Sequence, residues 1–82
     1  MEEKIIKLSD TDIGDEVIIK EILSTGLNKQ RLLDLGFVPD TTIFVLRDSP
    51  LGEPRAYFIR DTCIALRKEE SEKIIVYKKQ WL

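Results

Sequence analysis

The chain has 82 residues, 43% of them apolar and 34% charged, with 13 Lys+Arg against 15 Asp+Glu for a formal net charge of −2. That length holds one hydrophobic core, and the balance excludes a disordered chain and gives a nucleic-acid binder no surplus of positive charge. With no histidine and one cysteine, the commonest general base, an internal disulfide and a Cys-rich zinc centre are excluded.

The N-terminus, Met1-Glu2-Glu3-Lys4-Ile5-Ile6, is acidic and lacks the apolar stretch of a signal peptide. The longest apolar runs, such as Ile43-Phe44-Val45-Leu46, are four residues long, against about 20 for a membrane helix. A soluble protein without direct membrane insertion is expected. Gly14-Asp15 marks a turn, and residues 16–23 read as a strand rich in β-branched side chains. Ser24-Thr25-Gly26 breaks it. Asn28 is the expected N-cap of a helix of at most two turns. Leu32, Leu33 and Leu35 follow at helical spacing, and Gly36 stands where a left-handed cap ends a helix.

Residues 41–47 form a second strand, apolar on both sides in its middle, which predicts cover on both faces. Ser49-Pro50-Leu51-Gly52 fits a type I turn. In residues 55–60, Ala56 and Phe58 share one face and Tyr57 and Ile59 the other. Asp61-Thr62 makes a corner before a strand over 63–66, where Cys63 and Ala65 share a tight face. Residues 67–73 are a charged single turn with Lys68/Glu72 and Glu69/Lys73 at four-residue spacing. Residues 73–78 are the last strand. Together these predict an all-β fold: a small β-barrel of about five strands, one short α-helix and a single-turn connector. Val17, Ile19, Leu32, Leu35, Ile43, Val45, Phe58, Ile64, Leu66, Ile74 and Val76 are the expected core.

Three runs occur in a fixed order: Arg31-Leu32-Leu33-Asp34-Leu35-Gly36-Phe37-Val38-Pro39, Ser49-Pro50-Leu51-Gly52-Glu53-Pro54, and Ile64-Ala65-Leu66-Arg67-Lys68-Glu69-Glu70. In that order and spacing the chain resembles the FeoA family, ferrous iron transport protein A, over roughly residues 8–76. The resemblance implies an SH3-like barrel in a single domain of residues 1–82, with residues 77–82 as a tail beyond its core. It implies a cytoplasmic, non-enzymatic protein associated with FeoB, a membrane ferrous-iron transporter with a GTPase domain. It also implies kinship with the C-terminal domain of some metal-dependent repressors. Two positions depart from the family: Asp40 and Asp61 stand where it usually has glycine. Aspartate tolerates positive φ, so the turns are expected to survive at a modest cost in strain.

For chemistry, no Ser/His/Asp set, phosphate-cradling glycine loop or paired-carboxylate motif is present, so no catalytic residue is assigned and no cofactor is expected. Cys63 reads as a small apolar core residue rather than a reactive thiol. Glu69, Glu70 and Glu72 read as a solvated turn rather than a cation site, and Asp10, Asp12, Asp15 and Glu16 lack calcium-loop spacing. The expected partner surface is the 49–54 loop with its surroundings: Pro50, Leu51, Pro54, Tyr57 and Arg67. Its prolines limit what docking must order. Tyr57 and Tyr77 are candidate groove aromatics, the alternative being tyrosines that simply cover the barrel. Arg31 and Asp34 offer a second polar contact. The favoured function is an adaptor that contacts the cytoplasmic region of a FeoB-type transporter, the partner coming from the resemblance. The alternative is an SH3-like regulatory or nucleic-acid-binding module, against which the acidic balance counts.

Overall fold

The computed structural model describes residues 2–80, with side chains for 4–78. Its strands are β1 (Glu2–Lys7), β2 (Glu16–Ile22), β3 (Thr42–Asp48), β4 (Arg55–Ile59), β5 (Thr62–Leu66) and β6 (Ile74–Gln80). Helix α1 spans Gly26–Asp34, α2 spans Lys68–Ser71, and a 3-10 turn covers Leu8–Asp10. The strands form one antiparallel sheet in the order β1-β6-β2-β3-β4-β5. It ends on β1 and β5, which do not pair among the described residues, so the expected barrel is an open one.

The sixth strand, β1, is the element the sequence reading missed. Its segment carries four charges around Ile5 and Ile6, too little alternation to signal a strand alone. Pairing with β6 supplies the missing support, in six successive pairs from Glu2↔Gln80 to Lys7↔Ile75. The expected tail therefore begins inside β6, and Trp81 and Leu82 lie outside the described residues.

Helix α1 starts earlier than expected. Gly26 adopts φ +60, Thr25 is the N-cap, and Asn28 falls within the first turn. Its end follows the sequence closely. Gly36 takes φ +106, its N–H donates to the Leu33 carbonyl, and the Phe37 N–H donates to the Leu32 carbonyl, both at 3.0 Å. This pair of hydrogen bonds is the Schellman motif, whose apolar partners are the residues on either side of the stop. Leu32 and Phe37 are accordingly both in the core. Leu35 precedes the reversal and is exposed, which corrects its expected burial.

The core gathers Leu8, Val17, Ile19, Ile43, Val45, Tyr57, Ile59, Leu66, Ile74 and Val76 around Leu32 and Phe37. Bulges at Lys20 in β2 and Leu46 in β3 shift register between Ile19/Glu21 and Val45/Arg47. Such insertions bend and twist the bulged strand. In β4 the faces are opposite to expectation. Tyr57 pairs with Val45 and is buried, whereas Phe58 pairs with Phe44 and is only half-buried. Phe44 is 42% exposed, so β3 is covered on one face rather than both. The two phenylalanine rings meet across the strands, tilted by 52° with centroids 6.4 Å apart. Cys63 pairs with Phe58 on this outer side and is exposed, overturning its expected place in the core. Ile64 is half-buried and packs against the core rather than within it.

Asp40 and Asp61 adopt φ 72 and 62, as expected of aspartates at the family's glycine positions. Arg60 joins them at φ 48, which no composition signal marked. In α2 neither four-residue charge pair forms among the described residues, because the helix has only four residues. Glu70 instead pairs with Arg31 of α1 and accepts the Arg67 N–H at 3.2 Å.

Candidate functional site

The 49–54 loop joins β3 to β4 and is tied at several points. The Gly52 N–H donates to the Ser49 carbonyl at 2.8 Å, closing the four-residue turn. The Ser49 N–H donates to the Pro54 carbonyl at 3.2 Å, and the Ser49 hydroxyl donates to the Glu53 carbonyl. At the loop base, Arg55 Nε donates to Asp48 Oδ1 at 2.6 Å and Arg55 Nη1 to the Thr11 carbonyl at 2.5 Å. The hydrogen bond to Asp48 is the main cause that raises the Arg55 pKa, so the guanidinium stays charged.

A further contact places the start of α2 beside the loop: the Lys68 N–H donates to Glu53 Oε1 at 2.5 Å. That bond brings Arg67, exposed and one residue before α2, to the same end of the molecule as Pro50 and Leu51. Leu51 is 94% exposed at the tip and Pro54 is half-buried. Pro50, Leu51 and Pro54 belong to the loop itself, and Arg67 immediately precedes the residue whose N–H meets Glu53. The fifth expected contact residue differs. Tyr57 is fully buried, so its ring is no surface anchor. Tyr77, half-buried on β6, alternates with the buried Ile74 and Val76 and so faces away from the core that holds Tyr57; the two tyrosines share no face.

Tyr57 does reach a recess of about 200 Å³ behind the loop, lined also by Ser9, Glu53, Arg55, Lys68 and Ser71. Burial raises the Tyr57 pKa, with the neighbouring Ser71 and Arg55 acting against it, so the phenol is protonated at neutral pH. A larger hollow of about 450 Å³ lies between α1 and α2, lined by Leu23, Thr25, Asn28, Leu32, Glu69 and Lys73 among others. Leu27 in the first turn of α1 is 88% exposed. The hollow went unpredicted, since it exists only once α2 folds against α1. Among the described residues no three His, Cys, Asp or Glu side chains converge as metal ligands. The acidic residues after the 3-10 turn are tied instead: Asp15 Oδ2 accepts the Asp12 N–H at 2.8 Å and lies 3.1 Å from Lys78 Nζ. No helix among the described residues is long and apolar enough to cross a membrane.

Comparison with known proteins gives a consistent result. The sequence profile of the FeoA domain matches residues 6–78. A fusion of Fe(2+) transport protein A with the Fe(2+) transporter FeoB, from Porphyromonas gingivalis, is 37% identical over 71 residues. That match covers 87% of this chain and only 8% of the relative's length. The solution structure of a FeoA protein from Chlorobium tepidum superposes with a TM-score of 0.83 at 32% identity, covering 89% of this chain and 70% of that one. A manganese-dependent transcriptional repressor superposes at 0.82 over 96% of this chain and 44% of its own, at 15% identity, a likeness of fold alone.

Proposed function

The chain belongs to the FeoA domain family, and from that membership we propose that it is a non-enzymatic adaptor in ferrous iron transport. It acts in the cytoplasm on the cytoplasmic region of a FeoB-type transporter, through Pro50, Leu51, Pro54 and Arg67. The observation that carries this reading is Leu51: a leucine 94% exposed on a loop held by three internal hydrogen bonds. An apolar tip on a stiff loop loses little conformational freedom on docking and makes an effective anchor. The fused relative supports the choice of partner, because fusion keeps the two modules together.

The likeness to a repressor does not favour the regulatory alternative. This chain carries a net charge of −2. Among its described residues, the helix that follows α1 is one turn long, which leaves no recognition helix to enter a DNA groove.

The test is the affinity of the cytoplasmic fragment of a FeoB-type transporter for the wild type and for Leu51→Ala, across nucleotide states. Leu51→Ala is expected to weaken binding about tenfold or more, with a melting temperature within roughly 2 °C of wild type. Binding equal to wild type moves the contact to Arg31 and Asp34, or to Trp81 outside the described residues. No binding by the wild type in any nucleotide state removes the adaptor reading.

A further inference from the structure

Tyr57 is fully buried, and its hydroxyl makes no hydrogen bond among the described residues. A buried tyrosine hydroxyl ordinarily finds a partner, and leaving one without is destabilising. Its polar neighbours Ser71 and Arg55, which favour the ionised phenol, spend part of their hydrogen-bonding capacity elsewhere. The Ser71 hydroxyl donates to the Lys68 carbonyl at 3.3 Å, and Arg55 spends Nε and Nη1 on Asp48 and Thr11. The recess beside Tyr57 is lined by residues that carry donors, Ser9, Arg55, Lys68 and Ser71, together with Leu66. Its one carboxylate, Glu53, already accepts the Lys68 N–H. Its charged lining is Arg55, Lys68 and Glu53, and Arg55 is paired with Asp48 at the loop base, which leaves Lys68 against Glu53. A surplus of donors without a surplus of charge suits a neutral acceptor.

We propose that the recess behind the 49–54 loop is a binding subsite for an amide carbonyl oxygen, received by the Tyr57 hydroxyl. The carbonyl belongs to the backbone or an Asn/Gln side chain of the segment that docks on the loop. That source rests on the docking reading above, whereas the recess and its chemistry do not. Gly52, Glu53 and Lys68 are exposed, so the entrance lies between the loop and the start of α2, next to Leu51. The hydroxyl is thereby kept for binding at the expense of stability.

The experiment uses the whole chain and two small probes, N-methylacetamide and sodium acetate, followed by residue-resolved NMR with thermal melts alongside. Tyr57→Phe deletes only the hydroxyl. The expected results are a melting temperature at or above wild type and, in wild type, saturable shifts from N-methylacetamide at the Ser9, Gly52 and Ser71 amides. Tyr57→Phe should weaken that response roughly three- to tenfold, the worth of one hydrogen bond. A melting temperature several degrees below wild type overturns the proposal, because the hydroxyl is then already satisfied by the folded chain or by an ordered water alone. An unchanged response in Tyr57→Phe, or none in wild type, overturns it as well. Tighter binding of acetate overturns the neutral acceptor. These results need no transporter fragment: if they hold while the fragment fails to bind, the docking reading falls and the subsite stands.

Discussion

Tyr57 and Phe58 are adjacent, aromatic and similar in size, yet the sheet buries one and half-exposes the other. Alternation showed that they take opposite faces but not which face is inward. Hydrophobicity favours Phe58. The β3–β4 register decides otherwise, because Tyr57 stands opposite Val45. Leu66, 1% exposed and opposite Arg55 at the end of β5, is placed as its sequence suggests. Leu66→Ala is expected to cost about 2–5 kcal/mol by denaturant titration, whereas a loss under about 0.5 kcal/mol, typical of surface sites, would show that Leu66 is not core. Tyr57 also sets a pH dependence. Its pKa is raised above the ordinary 10.0, chiefly by burial. The neutral phenol is therefore the form the fold favours, and its contribution is complete below the unfolded pKa and lost as pH rises through the folded one. Lys78, raised mainly by its hydrogen bond to Asp15, has the same sign. The melting temperature should hold through neutral pH and fall above about pH 10. The fall should be shallower in Tyr57→Phe, which has no phenol to ionise; equal falls would remove Tyr57 as a cause.

The short elements depend on their ends more than on their interiors. Helix α1 has nine residues, below the length at which a helix holds in isolation. It persists because the Schellman turn at Gly36 sends Leu32 and Phe37 into one core. A β-carbon on Gly36 would sit 3.2 Å from Arg60 Cδ, on a backbone at φ +106 that L residues rarely adopt. Gly36→Ala is therefore expected to destabilise by about 1–3 kcal/mol. A melt unchanged from wild type would mean that the helix end has another way to close. Helix α2 is shorter still and serves as a junction. Glu70 meets Arg31, and the Lys68 N–H meets Glu53, linking α1, α2 and the 49–54 loop. Through that junction the residue after Arg67 is tied to the loop that carries Leu51, although the two segments are far apart in the chain.

Across the whole molecule, β1 completes the sheet on β6, with Ile6 packed against the core. Removing residues 2–6 should lower the melting temperature by several degrees by uncovering β6; an unchanged melt would show that β1 adds nothing to stability. The donor set for iron is likewise a property of the whole chain. Without histidine, and with Cys63 alone on an outer face, carboxylates and carbonyls remain, which hold divalent ions weakly. Anaerobic calorimetry with ferrous iron is expected to show no binding tighter than about micromolar, near −8 kcal/mol. A stoichiometric site above that affinity would overturn the expectation.

Local rules were enough for the strands after Gly14, the stop at Gly36, the turn at Ser49–Gly52 and the aspartates at positive φ. Each depends on a few neighbouring residues whose backbone preferences act wherever the chain goes. The run of motifs through residues 31–70 likewise carried the family. Long-range pairing decided the rest: β1, whose charged segment becomes a strand only against β6; the open sheet ending on β5; the inward turn of Tyr57; and the outward place of Cys63. For the site, the exposed loop was legible because proline, glycine and an isolated leucine mark a turn with an apolar tip. The recess behind it was not. Its walls come from the 3-10 turn, the loop, β4 and α2. Segments so far apart become neighbours only when register and packing bring them together, and no local pattern of residue types encodes that distance.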